Sequence, residues 1–257
     1  MTALPVARCM SLRQACTNNN KKIFVQRRIR DHGNAPQHGG WVWRDVLNRL
    51  RSLGHIATAP TLTGLGERQH LATSSVDLET HVEDVVAHIQ MEDLRNVTLV
   101  GWSYGGMVVT GVQAGIPARI QELVYLDAFV PEDGRALIDY VPPELKAEWD
   151  VFKIRNLPLS PMPLSAFGVT DPALTAFVQP RITNQPWRTF YQPVTALKAR
   201  AQIPTSDVVC TGFGPSPFIS RLAEMEADPA VRTTAIDTSH HCMLTDLEAT
   251  ISVIAGV

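Results

Sequence analysis

The pentapeptide Gly101-Trp102-Ser103-Tyr104-Gly105 follows directly on the apolar run Val97-Thr98-Leu99-Val100 and opens into Gly106-Met107-Val108-Val109. Strand-forming residues before it and a helix-compatible apolar stretch after it place a serine at a sharp turn between a buried strand and a helix. Such a turn holds its central residue in a strained backbone conformation. A side chain at either flanking position would crowd the neighbouring strand or helix. Ser103 is therefore the candidate nucleophile, and the plainer alternative is a serine in a glycine-rich turn.

The chain around this turn alternates in the manner of a parallel sheet with helices on its faces. Trp43, Val46, Leu47 and Leu50 recur at helical spacing, His55-Ile56-Ala57-Thr58 reads as a short strand ended by Pro60, and Leu78, Val82, Val85, Val86 and Ile89 mark a second amphipathic helix. Leu123-Val124-Tyr125-Leu126 is a further buried strand. Between residues 131 and 204 prolines become dense and the alternation stops, which predicts an inserted, mainly helical cap rather than more sheet. The alternation resumes with the strand Asp207-Val208-Val209-Cys210, a helix near Ser220 to Glu226, and the strand Val231 to Ile236. A last helix is expected to start at a capping box, Thr245-x-x-Glu248, and to bury Leu247, Ile251 and Ile254. The expected organisation is a core of residues 38–130 and 205–257, a cap of 131–204, and an N-terminal segment of 1–37.

A net charge of −2 gives no electrostatic reason to expect a nucleic-acid or anionic-membrane partner. No stretch is long and apolar enough to cross a bilayer, and residues 1–22 lack the basic-then-apolar order of a secretory signal. The four cysteines, Cys9, Cys16, Cys210 and Cys242, have neither disulfide-framework nor zinc-type spacing. The reading is a soluble cytoplasmic protein with reduced thiols that needs no metal and no cofactor.

A serine hydroxyl is a poor nucleophile at neutral pH, so it needs a base within hydrogen-bond reach and a group that orients that base. The loop between the last strand and the last helix is Asp237-Thr238-Ser239-His240-His241-Cys242-Met243. Of eight histidines, only His240 and His241 follow the nucleophile. Solvated or helix-face positions account for most of the other six.

On His38-Gly39-Gly40-Trp41-x-Trp43, Gly64-Leu65-Gly66-Glu67-Arg68, Gly101 to Gly106, Asp127-Ala128-Phe129-Val130-Pro131 and His240-x-x-Met243-Leu244, the chain resembles the α/β-hydrolase superfamily. It is most similar to the small esterases related to plant methylesterases and hydroxynitrile lyases, from about Gln37 to the C-terminus. The resemblance implies an α/β fold with a mostly parallel sheet flanked by helices, and a triad in the order serine, acid, histidine. In these proteins the histidine stands three residues before a Met or similar residue, which selects His240. The usual acid position follows the strand ending near Cys210, yet Thr211-Gly212-Phe213-Gly214-Pro215-Ser216-Pro217 holds no carboxylate. Asp207 stands at the wrong end of that strand. Asp127 follows the preceding core strand, where some members carry their acid, so the expected triad is Ser103–Asp127–His240. The alternative for Asp127 is a turn cap.

The oxyanion hole is where the chain departs from the family. One donor is expected from the backbone N–H of Tyr104. The other normally comes from a His-Gly-x segment after the first strand, which here assigns Asn34 after His32-Gly33. Arg27 and Arg28 fit badly in a strand buried on both faces, so residues 1–37 read as an atypical segment with a poor first strand. Aligned without a gap, Pro36 would occupy the donor position and has no N–H to give. A missing donor costs roughly 10²–10³ in rate, so an impaired enzyme is one expectation.

The implied activity is cofactor-independent hydrolysis of a small hydrophobic ester. Hydroxynitrile-lyase chemistry is the second reading, although those lyases carry Lys after the catalytic histidine and this chain has His241. A non-catalytic small-ligand-binding protein is the third.

Overall fold

The structure, a computed structural model, describes residues 21–26, 38–195 and 203–256. Its centre is a six-stranded sheet in the order β2-β1-β3-β4-β5-β6, with every pairing parallel. The strands are β1 (Lys22–Gln26), β2 (Ile56–Thr58), β3 (Val97–Trp102), β4 (Ile120–Leu126), β5 (Thr205–Cys210) and β6 (Val231–Ile236). The first strand is present inside the sheet, pairing Lys22–Phe24 with β2 and Lys22–Gln26 with β3. The run Ile23-Phe24-Val25 supplies it, while Arg27, Arg28 and most of the expected atypical segment of 1–37 lie outside the described residues.

Successive side chains along a strand face opposite ways, and the core divides accordingly. Val97 and Leu99 of β3, Leu123 and Tyr125 of β4 and Val209 of β5 join one apolar cluster, covered by α2 (Leu78–Met91) and α3 (Gly105–Gly115). Val100 and Trp102, Val124 and Leu126, and Val208 and Cys210 join the other, covered by α1 (Arg44–Ser52) and α9 (Leu247–Ala255). β3 is buried along its whole length, as a central parallel strand with both faces covered must be.

Five of the described α-helices, α2, α9 and those starting at Pro143, Pro172 and Pro217, begin at a side-chain cap or a proline. Asp77 caps α2 in a reciprocal box with Thr80. The prolines that break sheet between β4 and β5 instead start helices: Pro143 opens α4 (Pro143–Ile154) and Pro172 opens α5 (Pro172–Val178). A third helix, α6 (Arg188–Tyr191), follows, and among the described residues this segment adds no strand to the sheet. After β5 come α7 (Pro217–Glu226), β6, and α8 (Cys242–Thr245). The expected capping box at Thr245 is corrected as well. The cap of α9 is Asp246, whose carboxylate accepts from Ala249 N, because Thr245 is taken up in closing α8. No helix among the described residues is long and apolar enough to cross a membrane.

Candidate active site

The carboxyl edge of an open parallel sheet is where its loops converge. Ser103 stands there, one residue beyond β3, with φ +58. That left-handed conformation is costly for a residue with a Cβ and has to be held by its surroundings. The surroundings do hold it. Ser103 N–H points to Asp127 O at 3.2 Å and to Leu126 O at 3.4 Å, while Ser103 O accepts from Gly106 N and Phe129 N, each at 3.0 Å. The glycines make the close approach possible. A Cβ on Gly106 would lie 1.8 Å from Phe129 O, and one on Gly101 would lie 2.7 Å from Gly105 O. Ser103 is buried, and its Oγ makes no hydrogen bond among the described residues.

Asp127 follows β4 directly and is itself left-handed, with φ +44. Its carboxylate reaches sideways to the end of β5, where Cys210 N–H donates to Oδ1 at 3.0 Å. The other oxygen, Oδ2, is hydrogen-bonded to His240 Nδ1. The acid therefore starts from one strand and delivers its oxygen beside the next, where the sequence has no carboxylate of its own. Burial pushes the Asp127 carboxyl well above the usual carboxylate range, with the Cys210 N–H and the nearby Arg221 guanidinium acting the other way.

His240 is fully buried in the loop after β6. Trp102 Nε1 donates to its carbonyl at 2.8 Å, and its own N–H donates to Phe167 O at 3.1 Å. Phe167 and Phe218 stack on its ring at centroid distances of 5.3 and 5.7 Å. A carboxylate only accepts, so the proton of the neutral ring sits on Nδ1 and Nε2 is left to act as a base. His241 takes a different partner, with its Nε2 2.9 Å from His38 Nε2.

Tyr104 is buried at the N-cap of α3, where backbone N–H groups lack intrahelical acceptors and favour negative charge. Asn34 lies outside the described residues. Cys210, although adjacent, does not offer a competing thiolate: its hydrogen bond with Cys242 and then burial push its thiol up. No group of three or more potential metal ligands occurs among the described residues.

The sequence reading gave no role at the site to two buried histidines, His38 and His81, or to the half-buried Arg221. His81 Nδ1 lies 3.1 Å from Tyr104 Oη. Arg221 on α7 donates to Asp207 Oδ2 at 2.9 Å and to Ala128 O at 3.3 Å. For His81 a signal existed, since it falls on the apolar stripe of its helix between Leu78 and Val82. The Arg221–Asp207 pair joins a strand to a helix and leaves no periodic trace.

Residues 32–253 match the family model described as the alpha/beta hydrolase family. Among curated proteins, the carbendazim hydrolyzing esterase of Nocardioides sp. (strain SG-4G) is 37% identical over 223 residues, covering 80% of this chain and 90% of that protein. The alpha-hydroxynitrile lyase of Arabidopsis thaliana is 33% identical over 98 residues, 37% of each chain. Among solved structures, an extracellular alpha/beta-hydrolase from a Paenibacillus species superposes with a TM-score of 0.77 at 21% identity, covering 92% of this chain and 98% of that one.

Proposed function

The chain belongs to the alpha/beta hydrolase family, and from that premise we propose that it is a serine esterase that cleaves small hydrophobic carboxylic esters through an acyl-enzyme. The observation that carries this reading is the Asp127–His240 side-chain bond, made at the sheet edge where Ser103 occupies its left-handed turn. Ser103 Oγ attacks the ester carbonyl carbon as its proton passes to His240 Nε2. Asp127 holds the imidazole in the required tautomer and stabilises the imidazolium that forms. The carbonyl oxygen becomes an oxyanion that accepts from Tyr104 N–H and from a second donor, which we assign to Asn34. His240 then returns its proton to the departing alkoxide. Water, deprotonated by the same ring, cleaves the acyl-enzyme and releases the acid.

Residues 131–204 act as the cap over this chemistry. They contribute Trp149, Phe167 and Phe190, all buried, which suits a compact apolar substrate better than a charged one. No step calls for a metal or an organic cofactor. The similarity to the carbendazim hydrolyzing esterase makes carbendazim the first specific substrate to try. The direct test is hydrolysis of p-nitrophenyl acetate and butyrate by wild type and Ser103→Ala. Turnover abolished by the substitution supports the serine mechanism. Equal turnover in both would overturn it, and a folded wild type that binds esters without turning them over would favour a binding role.

A further inference from the structure

The Gly64-Leu65-Gly66-Glu67-Arg68 turn lies outside the triad, yet a hydrogen-bonded path leads from it to the residue after the nucleophile. His81 Nε2 is 2.9 Å from Thr63 O, and its Nδ1 is 3.1 Å from Tyr104 Oη. A carbonyl oxygen only accepts, so Nε2–H donates to Thr63. In the neutral ring Nδ1 is then an acceptor, and the Tyr104 hydroxyl donates to it. Both side chains are 0% exposed.

Thr63 is held in turn. Its N–H and hydroxyl donate to the two oxygens of Asp84 at 2.6 and 2.9 Å. Arg68 donates to Thr61 O at 2.8 Å, to Thr63 Oγ1 at 2.9 Å and to Asp84 Oδ1 at 3.2 Å. His81 and Asp84 are three residues apart on α2, so one face of that helix grips both the turn and the tyrosine. The other end of the turn meets the glycines after His38, where Gly40 N–H donates to Thr61 Oγ1 at 2.6 Å and a Cβ on Gly66 would lie 2.4 Å from Gly39 Cα. The network thus ties the glycines after His38 to the residue after the nucleophile.

We propose that His81 is a positioning residue that fixes the Tyr104 backbone N–H as an oxyanion donor by anchoring the Tyr104 hydroxyl. The proposal rests on the serine-esterase reading above. The tyrosine ring packs against Phe190 at a centroid distance of 5.6 Å. That contact and the hydroxyl bond are separate anchors, and together they stop the side chain from turning. With Ser103 confined to its left-handed conformation, the peptide between Ser103 and Tyr104 has little freedom to tilt its N–H away from the developing charge.

The test compares wild type, Tyr104→Phe, His81→Phe, His81→Asn, the Tyr104→Phe/His81→Phe double variant and Ser103→Ala on p-nitrophenyl acetate. It also measures inhibition by an aryl trifluoromethyl ketone. In that adduct Ser103 Oγ bonds to the ketone carbon, the hydroxyl proton passes to His240, and the carbonyl oxygen becomes the bound oxyanion. Tyr104→Phe and His81→Phe should each lower kcat about tenfold with KM within about twofold, and weaken the ketone by the same factor as kcat. The double variant should be no slower than the slower single, and His81→Asn, whose amide oxygen can accept from the tyrosine, should recover most of the loss. Tyr104→Phe keeps the packing and decides the matter even if His81→Phe does not fold. Wild-type kcat and ketone affinity in Tyr104→Phe, with Ser103→Ala inactive, would overturn the positioning role and leave the esterase reading standing. Full activity in Ser103→Ala would overturn both.

Discussion

At the scale of single residues, the site depends on two strained positions that brace one another. Ser103 and Asp127 both have positive φ, and the Ser103 N–H is bonded to the carbonyl of Asp127 itself. Asp127 therefore serves twice, holding the elbow through its backbone and His240 through its carboxylate. Asp127→Asn keeps the backbone contact and the side-chain shape but offers His240 an amide in place of an anion, which favours the wrong tautomer. We expect kcat to fall on the order of 10⁴ with KM little changed, measured on p-nitrophenyl acetate. A loss below tenfold would reduce Asp127 to a turn cap and reopen the search for the acid. The elbow turn was legible because a glycine-flanked serine after an apolar strand has few other uses, and the two histidines because they stand in the loop before the last helix. Periodicity could not separate His240 from His241, because what differs between them is a side-chain contact: His241 pairs with His38 while His240 faces the Asp127 carboxylate.

At the scale of elements, periodicity was enough to place β3, β4, α2 and α9 near their observed bounds, because each buries one stripe or both faces. What it left out were pairings between elements. Asp207 looked like a misplaced acid when read along β5, but across the gap to α7 it is the partner of Arg221, and 1% of its surface is exposed. The first strand draws on Ile23-Phe24-Val25, a run too short to stand out beside the charged Arg27 and Arg28. The Arg221–Asp207 bond also supports the Ala128 carbonyl beside the acid, so it links α7 and β5 to the site. Removing only the cation takes a charge-assisted hydrogen bond away from a buried carboxylate. Arg221→Met should cost about 3–5 kcal/mol in urea unfolding, and adding Asp207→Leu should recover most of that loss, since the penalty comes from keeping the charge buried with less compensation. Equal instability in the single and double variants would show that Arg221 stabilises through packing and the Ala128 contact instead.

For the whole molecule the open question is access, because Ser103 and His240 are both 0% exposed. A cavity of about 820 Å³ lies near them between the segment after β4 and α7, lined by Phe129, Tyr140, Pro142, Phe218, Arg221 and Met225. Phe218 lies between this cavity and the base: it lines the cavity, and its ring stacks on His240 at an interplanar angle of 7°. Truncating that ring should open the cavity towards His240 and Ser103 and give longer acyl chains apolar surface to bury, at about 0.8 kcal/mol per methylene. Losing the stacked ring will also disturb His240, so absolute rates are a poor readout. The ratio of kcat/KM for p-nitrophenyl octanoate over acetate is a better one, because the base acts equally on both esters and its impairment divides out. Phe218→Ala should raise that ratio about tenfold over wild type, the gain expected from burying two methylenes. An unchanged ratio, with the protein folded, would mean that another side chain still separates the cavity from Ser103.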